Sequence, residues 1–503
     1  MNIKQAKEEI ENTVRAYLQR DENGNFRIAP VRQRPMLLMG PPGVGKTQII
    51  EQAARECGVA LVAYTITHHT RQSAVGLPFI LKKTYGGIEH SVTEYTMSEI
   101  IASVYNRMEQ TGLREGILFI DEINCVSETL APTMLQFLQG KTFGNQKVPE
   151  GWIIVAAGNP PEYNRSAREF DIVTLDRVRK IDVQPDFSVW KEYAYRQSIH
   201  GAILSYLELR GENFYRIETT PDGVAFATAR GWEDLSEMMR VCEDMGLEIG
   251  QDLVLQYIQI AAVAKDFANY YELYRKYRDD YHVDEILNGQ VSERAVAMLQ
   301  HAGFDERLSV IGLLLSRLND VFRNVWLTDK ATESLFELLK EWKERMKNEP
   351  GDPAAALRQV AREAEDSLAR RRESGRLDRD GEAVQVRCVR LIAGYAGGLV
   401  KAGGPGTETA LTAVKESFAQ ETARREEEIG SASRMLEHAF DFLSVTFGES
   451  QEMVVFVTEL TVGFYSSKFI MENGSETYDR YNRSLLLGDR RREILRDIDS
   501  LST

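Results

Sequence analysis

The sequence predicts an α/β fold built on a parallel sheet, followed by a mainly helical second half. Two observations predict this division. Between Arg34 and Val183, short β-rich apolar segments alternate with amphipathic helices, a pattern typical of a parallel sheet that helices cover on both faces. After Pro185 the sequence predicts no further strands, and helical periodicity dominates the chain. We therefore expect an α/β region first and helical bundles after it.

The strands of the predicted sheet follow an N-terminal helix. Residues 1–20 have a helical pattern, and a polar loop, Asp21–Asn25, comes next. Further along, five segments are continuously apolar or nearly so, as expected for strands that are buried on both faces. These segments are Met36–Met39, Val59–Ile66, Gly116–Ile120, Trp152–Ala157 and Lys180–Val183.

Three amphipathic helices fit between the predicted strands. The first spans Lys46–Cys57. The second is expected to begin at a capping box formed by Thr96 and Glu99. The third is expected to start at Ser127 and to end before Gly140. Helices in these positions would connect neighbouring parallel strands.

The second half of the chain divides into short helical bundles at Gly- and Pro-containing breaks. The sequence shows no second group of catalytic residues there, and segments such as Val454–Met471 and Asp489–Asp499 are interpreted as packing and partner surfaces. A change in composition near residue 290 indicates the start of a C-terminal domain. The predicted breaks lie at Thr219–Gly223, Gly303, Asn348–Pro353, Gly375–Gly381 and Gly403–Gly406.

Composition limits the class of protein. The chain has 503 residues, of which 43% are apolar and 27% charged, values typical of a globular protein with several domains. The N-terminus lacks the apolar core of a secretory signal, so we expect a cytoplasmic protein without a membrane segment. The four cysteines have no metal-binding spacing. A net charge of −15 disfavours a long nucleic-acid-binding surface.

The clearest motif lies between the first predicted strand and the first predicted helix. Small residues in such a loop let consecutive backbone N–H groups face phosphate oxygens at the positive end of the helix. Lys46 is expected to contact the β- and γ-phosphates, and Thr47 to bind Mg²⁺. The sequence therefore predicts a site for ATP and Mg²⁺. The residues of this phosphate-binding loop are Gly40, Pro41, Pro42, Gly43, Val44, Gly45, Lys46 and Thr47.

Two acids end the third predicted strand. Asp121 and Glu122 follow the apolar segment Gly116–Ile120 directly, so both carboxylates are expected at the carboxyl edge of the sheet, beside the loop. Asp121 suits the Mg²⁺ shell, and Glu122 is the candidate that polarises the attacking water. The alternative is that the acids only cap a helix, because carboxylates are favourable at helix N-termini. A cap alone does not explain two acids after a buried strand.

A polar amide, Asn159, ends the fourth predicted strand. Its position between the loop and the acids places it where it could hydrogen-bond the γ-phosphate or its water. Asn before Pro160 is also an ordinary turn signal. We predict a sensing role for Asn159 because of its place in the sheet.

The loop, the two strand-end acids and the strand-end amide occur in the order found in AAA+ ATPases, and the sequence resembles the MoxR-like branch of that family. Asp121–Asn124 (DEIN) is similar to that branch's second motif. Thr174–Arg177 (TLDR) resembles its LDRF box, and Ala229–Glu233 (ARGWE) resembles its second sensor. The resemblance covers about residues 30–285.

The resemblance implies that one arginine acts in trans, on the nucleotide of a neighbouring subunit, where it stabilises charge on the transferring phosphoryl group. Arg177 is the predicted finger. Val178 replaces the usual Phe, and Arg179 lies two residues on, so Arg179 stays open as the alternative. Arg165 and Arg168 are further candidates, which surface salt bridges would explain equally well.

The resemblance also implies a cis arginine and a helical lid. Arg230 would contact the γ-phosphate from that lid; the alternative is an ordinary helix-start arginine. The predicted domains are an N-terminal helix (1–30), the α/β nucleotide-binding subdomain (31–185), the α-helical lid (186–288) and a helical C-terminal region (289–503).

Two loops of the predicted α/β region, His68–Pro78 and Gly140–Gln146, correspond to loops that face the central pore or a partner in related rings. The adjacent histidines His68 and His69 would suggest zinc only with further ligands, and the spacing supplies none.

The leading hypothesis from the resemblance is a ring, expected to be a hexamer, that hydrolyses ATP to remodel or mature protein complexes. The expected partner is a protein with a von Willebrand factor A domain, together with a protein client. Two alternatives stay open: a nucleic-acid-stimulated motor or restriction-type NTPase, and a chelatase-type subunit.

Overall fold

The computed structural model of the chain describes residues 1–68, 74, 76–143, 146–164, 166–220, 223–348, 351–403 and 406–485. Contacts divide the chain into two compact units. The first contains residues 1–189 together with 228–230, and the second contains residues 190–227 and the chain from 231 onward. The four segments predicted from the sequence stay a prediction.

A parallel five-stranded sheet forms the centre of the first unit. Its strands in spatial order are β2 (Ala60–Thr65), β5 (Gly116–Asp121), β8 (Trp152–Gly158), β1 (Met36–Met39) and β9 (Arg179–Asp182). These are the five predicted strands, with ends that differ from the prediction by at most one residue. The predicted fold class, a parallel sheet with helices followed by a mainly helical region, is confirmed. The strands described in this unit are β1 (Met36–Met39), β2 (Ala60–Thr65), β3 (Pro78–Tyr85), β4 (Ile88–Tyr95), β5 (Gly116–Asp121), β6 (Thr142–Phe143), β7 (Gln146–Lys147), β8 (Trp152–Gly158) and β9 (Arg179–Asp182).

Helices cover both faces of this sheet. Successive side chains of a strand point to opposite faces, and the buried residues accordingly form two clusters. Leu37, Leu118 and Ile154 belong to one cluster, and helix α1 supplies Ile10 and Val14 to the other. The N-terminal helix therefore covers part of the sheet. The helices of this unit are α1 (Ile3–Leu18), α2 (Lys46–Glu56), α3 (Glu99–Thr111), α4 (Ala131–Gly140), α5 (Ile172–Leu175) and α6 (Phe187–Arg196), the last of which continues into the second unit.

The capping box predicted for the second inter-strand helix is wrong. Helix α3 begins at Glu99 and has Ser98 as its N-cap residue. Thr96 has a tertiary partner instead, because its Oγ1 accepts a hydrogen bond of 2.9 Å from the backbone N–H of Leu77. The Thr96 hydroxyl can cap a helix, but here it is occupied by a hydrogen bond with another segment of the chain.

The predicted start of the third inter-strand helix is also wrong. Helix α4 begins at Ala131, and the residues after Ser127 form a turn in which the N–H of Leu130 donates to the Ser127 carbonyl at 3.0 Å. The reason is Pro132, which has no N–H to donate and is tolerated only in the first turn of a helix.

An exposed hairpin projects from the first unit outside the main sheet. Among the described residues, strands β3 and β4 pair with each other and with no further strand, and most of their residues are exposed. Apolar side chains are among them, with Ile80 74% and Ile88 64% exposed. The sequence predicts a loop at His68–Pro78 but no hairpin after it. Residues 69–73 and 75, including His69, lie outside the described residues, as do residues 144–145 of the second predicted loop.

The second unit is mainly helical, as predicted, but the expectation that strands end at Pro185 is wrong. Strands β10 and β11 form an antiparallel hairpin. Strand β10 (RIETT) is mainly polar and β11 (GVAFA) is apolar but mostly not buried, so the hairpin lacks the pattern of buried apolar strands that predicted the main sheet. The elements are α7 (Gly201–Leu209), β10 (Arg216–Thr220), β11 (Gly223–Ala227), α8 (Ala229–Met245), α9 (Gln251–Tyr257), α10 (Ala261–Tyr281), α11 (Val283–Leu287), α12 (Glu293–His301), α13 (Phe304–Asn348), α14 (Pro353–Glu373), α15 (Arg379–Lys401), α16 (Thr407–Phe447), α17 (Gln451–Val462) and α18 (Phe464–Asn473).

The predicted breaks separate helices of this unit in most places. Gly303 lies between α12 and α13, and the breaks at Asn348–Pro353 and Gly403–Gly406 follow α13 and α15. The break Gly375–Gly381 also lies between α14 and α15, but its predicted end is too late, because α15 already begins at Arg379. Gly381 lies in its first turn, where its N–H donates to the N-cap carboxylate. The segment Asp489–Asp499 lies outside the described residues.

One described helix, α15, is long and apolar enough to cross a membrane by length and composition. The bent pair α17 and α18 would add a second span if it formed one segment. Core helices of soluble proteins pass the same test, so the absence of a membrane segment stays a prediction.

Candidate functional site

The phosphate-binding loop connects β1 to helix α2, as predicted. Its glycines are needed for different reasons. A Cβ atom on Gly40 would lie 2.7 Å from the carbonyl oxygen of Val183. Gly43 and Gly45 have φ angles of 71° and 96°, which side chains other than that of glycine rarely tolerate. The loop therefore has a backbone path that phosphate-contacting N–H groups require.

Lys46 lies inside this loop. Its Nζ donates hydrogen bonds to the carbonyl oxygens of Gly40 and Pro41, at 2.8 and 2.9 Å, and to Asn159 Oδ1 at 2.9 Å. Burial lowers the pKa of Lys46 to about 8, against the opposing effect of the Asp121 carboxylate. The amine thus contacts neutral oxygens only, with no carboxylate within ion-pair distance among the described residues. A bound anion would offset the cost of burying its positive charge.

The predicted magnesium ligands lie together. Asp121 ends β5, and its Oδ2 accepts a hydrogen bond of 3.2 Å from Thr47 Oγ1. A hydroxyl and a carboxylate at this separation are hard oxygen ligands of the kind that Mg²⁺ prefers. Thr47 is in the first turn of α2, directly after Lys46. The donor set at this edge of the sheet therefore fits Mg²⁺ beside a phosphate group.

Glu122 has an unusual backbone conformation. Its φ angle is 56°, in the left-handed region, which costs a non-glycine residue roughly 1–2 kcal/mol. Its N–H donates a hydrogen bond of 2.9 Å to Asp121 Oδ1, which helps to hold this conformation. Strain of this kind clusters at active sites. The side chain is half-buried, so its carboxylate keeps access to water.

Asn159 comes directly after β8, and β8 lies between β5 and β1 in the sheet. This order explains why Asn159 reaches Lys46 on one side while its backbone reaches the acidic segment on the other. Its carbonyl oxygen accepts a hydrogen bond of 2.7 Å from Asn124 Nδ2. The structure therefore brings together the loop, the strand-end acids and the strand-end amide.

Residues 228–230 belong to the first unit and contact the loop. The Arg230 N–H donates to the carbonyl of Gly43 at 3.3 Å, and a Cβ on Gly43 would lie 3.0 Å from the Thr228 side chain. The positive charge of Arg230 also contributes to lowering the pKa of Lys46, after burial. Arg230, which is exposed, thus lies near the predicted phosphate position.

The two candidate finger arginines lie at the opposite edge of the sheet. Arg179 is the first residue of β9 and pairs with Met36, the first residue of β1. Because β1 reaches the loop only at Gly40, roughly 13 Å of strand separates this pairing from the loop. Arg177 comes two residues before β9, at this amino edge. Neither backbone position is beside the phosphate-binding loop of its own chain.

The side chains of these two arginines differ. Arg177 is exposed and donates a hydrogen bond to the neutral side chain of Gln139. Arg179 is an ion-pair partner of Glu9 and also donates to Thr13 Oγ1 at 2.7 Å. Arg179 is therefore held on helix α1 by an ion pair. The contact of Arg177 with Gln139 does not neutralise its positive charge, which could act on another molecule.

The remaining candidate arginines are not part of this group. Arg168 forms an exposed ion pair with Glu128, 2.8 Å between Nη2 and Oε1. This agrees with the salt-bridge alternative for Arg168. Arg165 lies outside the described residues.

The parallel sheet with a phosphate-binding loop at its carboxyl edge defines a nucleotide-binding domain of the P-loop class. Residues 36–175 match the family described as "ATPase family associated with various cellular activities (AAA)". The chain therefore contains an AAA ATPase domain and is an ATPase. AAA ATPases in general bind ATP with Mg²⁺ and are commonly oligomeric. No curated protein matches the chain. The MoxR-like branch stays a prediction.

Asn124, the last residue of the DEIN motif, has no role predicted from the sequence. Asn124 is 3% exposed, and its side chain joins two segments, as described below. A side-chain amide two residues after the second of two strand-end acids is the signal that could have identified it. Thr228, which contacts the loop, has no such signal in the sequence.

The lowered pKa of Lys46 predicts a pH dependence of nucleotide binding. Phosphate favours the protonated amine, so affinity for a non-hydrolysable ATP analogue with Mg²⁺ should be full below pH 8. It should fall as pH rises through the pKa of about 8, approaching tenfold per pH unit above it.

Calorimetric titration between pH 7 and 9.5 would measure this effect. Lys141 is the control, because burial also lowers its pKa to about 8, and Lys141→Gln should leave the pH profile unchanged. Affinity that stays constant up to pH 9.5 would contradict the role of Lys46.

Proposed function

We propose that the chain assembles into a ring and hydrolyses MgATP at sites shared by neighbouring subunits, in order to remodel protein complexes. The observation that carries this proposal is the separation of Arg177 from the phosphate-binding loop. Arg177 is exposed at the amino edge of the sheet, while the loop lies at its carboxyl edge. An arginine in that position can serve a nucleotide only if a second copy of the chain presents its site to it.

Within one subunit, residues of the loop and of two strand ends would act on the nucleotide. The loop N–H groups and Lys46 would bind the β- and γ-phosphates. Thr47 and Asp121 would hold Mg²⁺, which supplies charge neutralisation for the transferring phosphoryl group. Glu122 would orient and polarise the attacking water, and Asn159 would hydrogen-bond that water or the γ-phosphate.

Asn159 and Lys46 would respond to nucleotide together. The Lys46 amine contacts Asn159 Oδ1, and the charge on a bound γ-phosphate would compete for the same amine. Its release would free the Asn159 amide to turn towards the phosphate. This contact supports a sensing role for Asn159.

Arg230 would sense the nucleotide from helix α8. Its backbone contacts Gly43, and α8 runs on from there into the second unit. A hydrogen bond from Arg230 to the γ-phosphate would exist only before hydrolysis. Chain continuity would then couple the nucleotide state to the start of this long helix.

Apolar residues beside Arg177 support a subunit interface at this place. Helix α5 is fixed by the Asp171 side chain, which accepts from the Thr174 N–H at 2.7 Å. It leaves Ile172 82% and Val173 52% exposed. Exposed apolar side chains beside a charged hot-spot residue are typical of protein interfaces. We infer that they contact the neighbouring subunit and hold Arg177 in place.

The remodelling part of the proposal rests on the MoxR-like resemblance and on the exposed hairpin. Its apolar side chains, which include Ile80 and Ile88, offer a surface on which a protein client could bind. A partner with a von Willebrand factor A domain follows from the resemblance alone.

Introducing negative charge on the apolar surface of α5 tests assembly. The double variant Ile172→Glu, Val173→Glu should lower turnover per subunit at least about tenfold, because interface anchors of this kind dominate association. The particle mass measured by analytical ultracentrifugation should fall to that of smaller species at the same protein concentration.

The matched control is Val31→Glu, which changes an equally exposed apolar residue (90% exposed) elsewhere on the first unit. This variant should keep the wild-type mass and turnover. If the wild-type protein were a monomer at every dilution and hydrolysed ATP at the same rate per subunit throughout, the proposal would be overturned.

A further inference from the structure

Asn124 has a buried side chain at the candidate site. None of the roles proposed above for ATP hydrolysis involves this side chain. Its Nδ2 donates two hydrogen bonds, to the carbonyl oxygen of Asn159 at 2.7 Å and to that of Arg168 at 3.3 Å. The Arg168 N–H in turn donates to the Asn124 carbonyl at 2.9 Å. An amide nitrogen carries two N–H donors, so this side chain uses its full donor capacity to join two segments.

The neighbouring strand leaves room for this amide. A Cβ on Gly158 would lie 2.5 Å from Asn124 Oδ1 and 3.1 Å from Met39 Sδ. Any other residue at position 158 would push the Asn124 side chain away. The backbone next to it is fixed as well, because the Ile123 N–H donates to the Ala157 carbonyl at 2.9 Å. Asn124 is therefore held at the carboxyl end of strand β8.

Each of the two joined segments has a place in hydrolysis. On one side, Asn159 contacts Lys46 through its own amide. On the other side, the chain runs from Arg168 through helix α5 to Arg177. Asn124 is the described side chain that hydrogen-bonds both. A shift of Asn159 when nucleotide binds would pull on the segment that presents the arginine.

We propose that Asn124 is a positioning residue that couples Asn159 in one subunit's site to the Arg177 segment of the same subunit. A change at one nucleotide is thereby passed to the arginine that serves the next site. The arginine half of this coupling rests on the proposed function, in which Arg177 acts in trans. Asn124 contacts neither substrate nor Mg²⁺ in this account.

The test uses Asn124→Asp in the full-length chain, because aspartate has the same shape but cannot donate at neutral pH. With both donated hydrogen bonds lost, kcat should fall about tenfold while KM for ATP changes less than about twofold. Asn124→Ser, which keeps one donor, should give an intermediate kcat. If thermal unfolding shows that the Asn124→Asp protein does not fold, Asn124→Ser takes its place in the kinetic measurements and in the double-mutant cycles.

Two double-mutant cycles separate coupling from a merely structural role. In one, Asn124→Asp is combined with Asn159→Ala, and in the other with Arg177→Ala. If Asn124 acts through both residues, its effect on kcat should shrink to less than about twofold in each background. Effects that multiply in either cycle would overturn the coupling.

The same data keep this inference apart from the proposed function. If Arg177→Ala alone leaves kcat unchanged, the trans arginine fails, and the coupling to that segment fails with it. If Arg177→Ala is strongly impaired but the Asn124 effects multiply in either cycle, the trans arginine survives and only the coupling is overturned.

Discussion

Glu122→Gln should lower kcat for ATP hydrolysis by about 10²–10⁴-fold, the range typical for loss of a positioned general base. Glutamine keeps the size of the side chain but cannot polarise water as a carboxylate does. The affinity for MgATP should change little, because the phosphate contacts of the loop and the Thr47–Asp121 pair stay in place. Single-turnover hydrolysis and binding of a fluorescent ATP analogue measure the two quantities separately.

The control for this variant is Glu162→Gln. Glu162 is an exposed carboxylate that follows the neighbouring strand β8, and we expect its loss to leave kcat within about twofold. The left-handed backbone at position 122 does not depend on the charge, so the fold should be unaffected. If Glu122→Gln retained more than half of the wild-type turnover, Glu122 would not be the residue that activates water.

Arg177→Ala should lower kcat by about 10³–10⁵-fold, the contribution that arginine fingers make in phosphoryl transfer. The nucleotide affinity of each subunit should be retained, because Arg177 lies at the amino edge of the sheet, away from its own loop. The measurement is steady-state turnover with binding of the same analogue as a check.

Arg179→Ala is the matched control for the choice between the two arginines. Arg179 is ion-paired with Glu9 and both side chains are partly exposed, so we expect its loss to cost at most about 1 kcal/mol of stability. It should change kcat much less than Arg177→Ala does. A result in the reverse order would make Arg179 the finger.

The main sheet was predictable because each of its strands can be recognised from a short, continuously apolar segment. Segments such as Met36–Met39 and Trp152–Ala157 are apolar throughout, since both sheet faces are covered. Parallel strands also place their carboxyl ends at one edge. The nearness of Thr47, Asp121 and Asn159 therefore followed from sequence order alone, before any contact was known.

Other features depend on contacts that sequence patterns do not show. Thr96 fits a capping box, but a tertiary hydrogen bond with Leu77 uses its hydroxyl. The role of Asn124 depends on the missing side chain of Gly158. The hairpin β3–β4 did have a local signal, Gly86-Gly87, which suits a two-residue turn with positive φ angles. Its exposed strands lack a buried face to strengthen that signal.

The sequence alone could not decide whether Arg177 or Arg179 is the better candidate for the arginine finger. Both residues follow the same helix in the sequence, and both carry the same charge. Only the fold shows that Arg179 starts a strand and contacts helix α1, whereas Arg177 stays exposed. The register of β9 on β1 then separates the segment from its own loop.

Mixing two inactive variants tests most directly whether neighbouring subunits share the site. An Arg177→Ala subunit keeps its Glu122, and a Glu122→Gln subunit keeps its Arg177. In a head-to-tail ring with random order, about a quarter of the interfaces of an equal mixture would combine the two intact residues. The account predicts that the mixture regains about a quarter of wild-type turnover. A mixture no more active than the sum of its two components, under conditions where the subunits exchange, would contradict it.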